Sequence, residues 1–271
     1  MPVSDTASDP AHDPADDLAL LIDAARRAGR IALQFTGTTA RRWDKPGDLG
    51  PVTEADIAVD TDLRESLTAA RPGYGWLSEE TPDDAARLSR DRVFIVDPID
   101  GTRSFIEGND TWAHSLAVVE GGVTVAAAIY LPVKGKLYSA ATGRGAQLNG
   151  RPIRVSPRDR LTGANVISAK PNYDPRHWPG GVPDVHRHYR PSLAYRMALV
   201  AEGRFDAMLT FRDSWEWDIA AGDLILREAG ARITDRHGAP LRFNNAHPQV
   251  DGVVAAGPGL HDHIRTAMGQ T

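Results

Sequence analysis

The chain reads as a layered α+β fold made of two packed halves, and three observations lead there. Apolar residues recur at helical spacing near the N-terminus. The middle of the chain is a succession of β-branched and alanine-rich runs separated by glycine turns. The last part alternates strand-like and helix-like runs, the pattern of α/β layering. With 271 residues and 41% hydrophobic content, the chain can bury a core large enough for both halves. The expected organisation is a mobile, acidic and proline-rich tail over residues 1–15, an N-terminal α+β half over 16–157 and a C-terminal α/β half over 158–271.

Taken in order, Leu18, Leu21, Ile22, Ala25, Ala28 and Ala32 repeat with a helical period, which predicts an amphipathic helix to about Phe35. Thr53 with Asp56 forms a capping pair for a second helix reaching about Ala70. Strands are expected around Leu77, along Val93–Val96, and from His114 to Glu120, Val123 to Leu131 and Lys136 to Ala141. Gly121-Gly122 and Lys134-Gly135 are turn signals, so these strands form an antiparallel meander. Gly143-Arg144-Gly145 imitates a dinucleotide loop. Leu148 stands where a third glycine belongs, however, and an Asn149-Gly150 turn follows, so it reads as a hairpin connection. Beyond Pro157 the pattern predicts a strand over Ala164–Ser168, a helix over Ser192–Glu202, a strand over Phe205–Thr210 and a helix over Ile219–Ala229.

The stretch from Val93 to Thr102 carries the chemistry. Val93-Phe94-Ile95-Val96 suits a strand covered on both faces, yet it runs straight into Asp97-Pro98-Ile99-Asp100-Gly101-Thr102. A buried strand ending in two acids calls for a cation. A Pro-stiffened turn can aim Asp97 and Asp100 at one point. Gly101 and Thr102 stand where a helix begins, and backbone N–H groups there attract phosphate. Two further apolar runs end in acid: Trp76-Leu77-Ser78 before Glu79 and Glu80, and Trp215-Glu216-Trp217 before Asp218. Each acid also has an ordinary reading. Asp56 and Asp218 suit helix caps, Asp97 and Asp100 suit turns, and Glu79-Glu80 suits a solvated face. Carboxylates without cysteine, and histidines without zinc spacing, point to Mg²⁺ and phosphoryl transfer.

Composition narrows the rest. A net charge of −5 argues against a general nucleic-acid surface. Zero cysteines exclude a disulfide framework and fit a cytoplasmic protein. No apolar run approaches the roughly 20 residues that span a bilayer, and the acidic N-terminus is neither a signal nor a transit peptide.

Glu79-Glu80, then Asp97-Pro98-Ile99-Asp100-Gly101-Thr102, then Trp217-Asp218 before small residues, resemble in this order the lithium-sensitive, Mg²⁺-dependent inositol monophosphatase superfamily. Thr53-Glu54-Ala55-Asp56 and the stretch Ala146–Ser156 extend the resemblance over nearly the whole chain. It implies an αβαβα sandwich holding two or three Mg²⁺. Glu79, Asp97 and the Ile99 carbonyl would hold one ion, and Asp97, Asp100 and Asp218 a second. Asp56 and Thr102 would activate the attacking water, and the Gly101 and Thr102 amides would bind the phosphate.

The substrate is read less directly. Family members specific for inositol carry a glutamate shortly before Trp-Asp, where this chain offers Thr210 or Phe211. Trp215–Gly222 and Ser192–Gly203 look more like the 3'(2'),5'-bisphosphate nucleotidase branch. That likeness implies hydrolysis of the 3'-phosphate of adenosine 3',5'-bisphosphate. Arg196 would hold the second phosphate, Asp218 would face the substrate, and Tyr195 or Phe211 would stack on adenine. Inositol phosphate and histidinol phosphate are the alternatives, with a sugar bisphosphate behind them. A scaffold that has lost catalysis is disfavoured because the acids are complete. A homodimer is compatible with the family.

Overall fold

The computed structural model describes residues 13–35, 39–45, 47 and 50–270. Helix α1 (Pro14–Ala32) opens on Asp13, whose side chain caps Ala15 N with Pro14 in the first turn. Pro14 and Ala15, expected in the tail, are therefore helical, and residues 1–12 lie outside the described residues. A short hairpin of β1 (Arg42–Asp44) and β2 (Pro51–Thr53) leads into α2 (Glu54–Ala70). Thr53 and Asp56 cap α2 reciprocally, as their spacing predicts. Next come β3 (Gly75–Ser78), β4 (Arg92–Asp100), the short α3 (Thr102–Ile106), β5 (Ala113–Glu120), β6 (Val123–Leu131) and β7 (Lys136–Ala141). Strands β8 (Ala146–Leu148) and β9 (Arg151–Pro152) follow. β3 to β9 form one seven-stranded sheet in sequence order, antiparallel except for the β3–β4 pair. The expected meander is present, and the Gly143-Arg144-Gly145 turn joins β7 to β8.

The remaining strands are β10 (Asn165–Ser168), β11 (His186–His188), β12 (Ala207–Thr210), β13 (Ser214–Trp215), β14 (Arg232–Thr234), β15 (Gln249–Val250) and β16 (Val253–Ala256). The helices are α4 (Leu193–Ala201), α5 (Glu216–Glu228) and α6 (Pro258–Ala267). A five-stranded sheet runs β11-β10-β12-β16-β14, parallel on the β11 side and antiparallel around β16. The sequence pattern assigned nothing beyond Ala229. Strand β16, between β12 and β14 in that sheet, is only four residues of a short, wholly buried apolar run, which carries no alternation to reveal it.

Alternation along β4 explains the layering. Phe94 and Val96 join Leu21, Ala25, Val59 and Leu63 of α1 and α2 in one core. Val93 and Ile95 face the other way, into a core with α4, α5, Met208 and Ala255. Leu260 and Ile264 of α6 cover the far face of the smaller sheet with Val166 and Leu209. The layers are thus α1/α2, sheet, α4/α5, sheet, α6. α4 is buried along its whole length. α5 approaches it closely because Gly222 has no side chain; a Cβ there would stand 2.6 Å from Met197 Sδ. No helix among the described residues is long and apolar enough to cross a membrane.

Candidate active site

β4 delivers two acids to one place by breaking its own register. Asp97 lies opposite Ser115 and Asp100 opposite Ala113, so Pro98 and Ile99 together face the single His114. Side chains three apart on an unbroken strand would point to opposite faces; one extra residue restores them to the same one. Gly101 then turns the chain at φ 99°, left-handed backbone that a Cβ resists, and α3 starts at Thr102. From the other side, α5 contributes Asp218 in its first turn; the cap position is Trp215, so Asp218 is not the N-cap. Ligand atoms of Asp97, Asp100 and Asp218 all lie within 4.8 Å of one another.

The acids of this group act on one another's protonation. Burial, then the charges of Glu79 and Asp100, push Asp97 well above the usual carboxylate range. Burial and then Asp100 do the same to Asp218. Asp100 is also raised by burial, against the pull of Ser192 Oγ and Ala194 N, each donating to its Oδ2 at 2.6 Å. Asp97 Oδ1 is buried with no hydrogen-bond partner among the described residues. An all-oxygen donor set with one oxygen unmet fits a hard divalent cation such as Mg²⁺.

Beside this group sit the other acids. Glu79 accepts from Lys45 Nζ at 2.7 Å, and Glu80 accepts from the same nitrogen at 2.7 Å. Burial works against the Lys45 ammonium, but the two glutamates outweigh it and raise its pKa. Burial and then Glu79 push Glu80 up to about 7. Asp56 caps α2 and also reaches Thr102. Its Oδ2 accepts from Thr53 N at 2.8 Å and Thr53 Oγ1 at 2.5 Å, while its Oδ1 lies 3.3 Å from Thr102 Oγ1. The same hydroxyl stands 3.2 Å from the Ile99 carbonyl. Burial pushes Asp56 up to about 6.

Arg196 differs from the expectation of a free phosphate grip. It is buried; Nε donates to the Arg190 carbonyl and Nη2 to the Pro191 carbonyl at 3.3 Å, and its guanidinium lies 4.5 Å from the Tyr189 ring centre. The cause is that α4 is enclosed on every side, so its arginine serves the chain's own carbonyls. Tyr195 and Phe211 are likewise core residues, packed in separate clusters, rather than exposed stacking faces. The exposed Arg212, unmarked by any motif, brings its charge to bear on both Asp218 and Arg196.

Sequence reasoning also missed the groups that hold the acids in place. Buried Glu216 accepts from Asn244 N at 2.6 Å, Asn245 N at 2.9 Å and Asn245 Nδ2 at 2.7 Å, anchoring the start of α5. Ser115 Oγ donates to the Trp217 carbonyl at 2.9 Å, and the Trp215 and Trp217 rings stack at 4.7 Å. Ser192 was expected only as the start of a helix, which it caps through Tyr195 N, and nothing in its neighbours signals its bond to Asp100.

The model of the inositol monophosphatase family matches residues 13–270. The chain belongs to that family. It is 36% identical to the histidinol-phosphatase of Mycobacterium tuberculosis, over 93% of this chain and 98% of that relative. It is 31% identical to the 3'(2'),5'-bisphosphate nucleotidase CysQ of Escherichia coli, over 81% of this chain and 90% of the relative. Among solved structures, the IMPase of Thermotoga maritima superposes with a TM-score of 0.80 at 27% identity, covering 94% of this chain and 97% of that one. Membership in the inositol monophosphatase family makes the protein a phosphatase of small phosphate esters, with an acidic cluster able to hold metal.

Proposed function

We propose that this family member is a Mg²⁺-dependent phosphomonoesterase that prefers an anionic alcohol half, with adenosine 3',5'-bisphosphate as the leading substrate. The observation that carries the metal-dependent phosphatase reading is the convergence of Asp97, Asp100 and Asp218, one oxygen unmet, beside the Asp56–Thr102 pair. Asp97, Asp100 and Asp218 would hold one cation; Asp97, Glu79 and the Ile99 carbonyl would hold another once Glu79 leaves Lys45. Bound there, Mg²⁺ supplies charge to the phosphate oxygens and acidifies water.

The chain's own residues do the remaining work. Thr53 pins Asp56 Oδ2, which leaves Oδ1 directed at Thr102 Oγ1. Asp56 and Thr102 orient a water, and Oδ1 takes its proton as the oxygen attacks phosphorus in line with the ester bond. The Gly101 and Thr102 amides hold the phosphate oxygens. The ester oxygen leaves as the alcohol after protonation, with no phospho-enzyme.

The preference for an anionic alcohol rests on charge. Thr210 or Phe211 stands where an acid would hold inositol hydroxyls, and exposed Arg212 brings its charge to bear on Asp218. A second phosphate finds a partner there, with Arg212 rather than buried Arg196 as the residue that meets it. Histidinol phosphate is the second reading, favoured by the 36% identity to a histidinol-phosphatase. Its ammonium would meet Arg212 unfavourably.

The test is Mg²⁺-dependent phosphate release from adenosine 3',5'-bisphosphate, inositol 1-phosphate, histidinol phosphate and fructose 1,6-bisphosphate, with Asp97→Asn as the blank. A kcat/KM preference of about 100-fold for the nucleotide, near 2.7 kcal/mol, supports the leading reading. A preference for histidinol phosphate replaces it with the second, and no release from any substrate removes both.

A further inference from the structure

Asp97 and Asp100 converge only because β4 bulges at Pro98 and Ile99, and one buried side chain touches that bulge from across the ladder. We propose that His114 is a positioning residue for the metal-holding end of β4, fixing the Pro98 carbonyl and through it the relative placement of Asp97 and Asp100. This rests on the reading of those two aspartates as metal ligands.

The geometry is specific. His114 is the single residue of β5 that faces Pro98 and Ile99, the two bulged residues of β4. Its Nδ1 bonds the Pro98 carbonyl. A carbonyl oxygen only accepts, so the proton is on Nδ1 and the tautomer is decided. The neutral ring then has a bare Nε2, which is buried with no partner among the described residues. Around it lie Trp112, edge-on at 5.5 Å, and Tyr130 at 6.4 Å, both rings that fill space without meeting the nitrogen.

An imidazole with one nitrogen unmatched is a poor core residue, since an apolar side chain of similar size would avoid that desolvation cost. The bond to Pro98 is what distinguishes His114 from such a residue. Pro98 has no N–H and cannot hold the bulge by donating into the ladder, so its carbonyl is the remaining backbone handle. Moving that carbonyl moves Ile99 and Asp100, the next two links of the chain. A group that orients ligands in this way is felt in metal affinity before it is felt in folding.

Three variants of His114 separate this from plain packing. Asn places Nδ2 where the histidine has Nδ1; Gln reaches instead to the place of Nε2; Val removes both nitrogens. Binding of Mn²⁺ is measured by electron paramagnetic resonance, and thermal unfolding is followed in EDTA. His114→Gln and His114→Val are expected to weaken Mn²⁺ binding about tenfold or more, while His114→Asn stays within about threefold of the parent. In EDTA, His114→Val is expected to melt no lower than the parent. Parent-like Mn²⁺ binding in both Gln and Val, or an equal loss in Asn and Gln, overturns the proposal. If Val does not fold, the Asn and Gln pair decides. Asp97→Asn is the control for the underlying reading. Its loss of Mn²⁺ with no effect in any His114 variant sinks the role of His114 alone, and unchanged Mn²⁺ in Asp97→Asn sinks the metal assignment itself.

Discussion

Two groups of buried acid in this protein are treated in opposite ways. Asp17 is fully buried in α1 and receives Arg71 at 3.0 Å, Arg92 at 2.9 Å and the Tyr74 hydroxyl at 3.0 Å. Asp97, buried equally well, has one oxygen with no partner among the described residues, and other carboxylates for neighbours. Burial of a charge is costly unless it is paired, so a chain that pairs one acid with two guanidiniums and leaves another bare has a reason outside the chain for the second. The first group holds α1 and α2 to the edge of the large sheet. The second is an acidic cluster able to hold metal.

The contrast can be broken by exchanging charge for amide. Asp97→Asn is expected to lower turnover at saturating Mg²⁺ by at least about 10³-fold, some 4 kcal/mol, while raising the melting temperature in EDTA. A variant that keeps turnover would remove Asp97 from the chemistry. Asp17→Ala is expected to cost about 3–5 kcal/mol of stability in urea, because two arginines lose their buried partner. Its kcat should stay close to the parent's; a matching fall in kcat would show that the two regions are not separate.

Acidity sharpens the contrast with smaller effects. Burial pushes Asp56 up to about 6, above its ordinary 3.8, so the metal-free fold is favoured by protonation and loses stability as pH rises from about 4 through 6. Asp56→Asn in EDTA should therefore gain on the parent across that window, by up to about 3 kcal/mol at pH 7. His261, on the buried face of α6, has the opposite sign. Burial holds it down at about 4 against an ordinary 6.5, so its contribution is present above 6.5 and lost as pH falls toward 4. His261→Gln should flatten that acid limb in urea titrations, and an unchanged slope would deny the histidine its part. The smallest effect is ligand linkage. Mg²⁺ at 100 times its Kd should stabilise the parent by about 2.7 kcal/mol and leave Asp97→Asn unmoved in the same thermal scan.

How much of this was legible in the sequence varies with the range of the interaction. The meander, the capped α2 and the acids at the end of β4 follow from local patterns: alternation, Thr-x-x-Asp spacing, and an apolar run ending in charge. The bulge was not legible, because register belongs to a pair of strands. Arg196 read as a phosphate grip through the likeness to the bisphosphate nucleotidase branch, which carries no information on exposure, and here the helix is enclosed. Lys45 on Glu79 and Ser192 on Asp100 join residues 34 and 92 positions apart, with nothing in their neighbours to announce the meeting.

The sequence alone therefore determined the layered class, the order of the elements it assigned up to Ala229 and the presence of acids at the ends of apolar runs, because hydrophobic period, turn residues and carboxylate placement are written in neighbouring positions. Tertiary structure decided which acids meet, which are satisfied and which remain bare. Those outcomes depend on the close approach of α5 to α4 at Gly222, on the extra residue in β4, and on partners the chain brings together only when its two sheets close over α4 and α5.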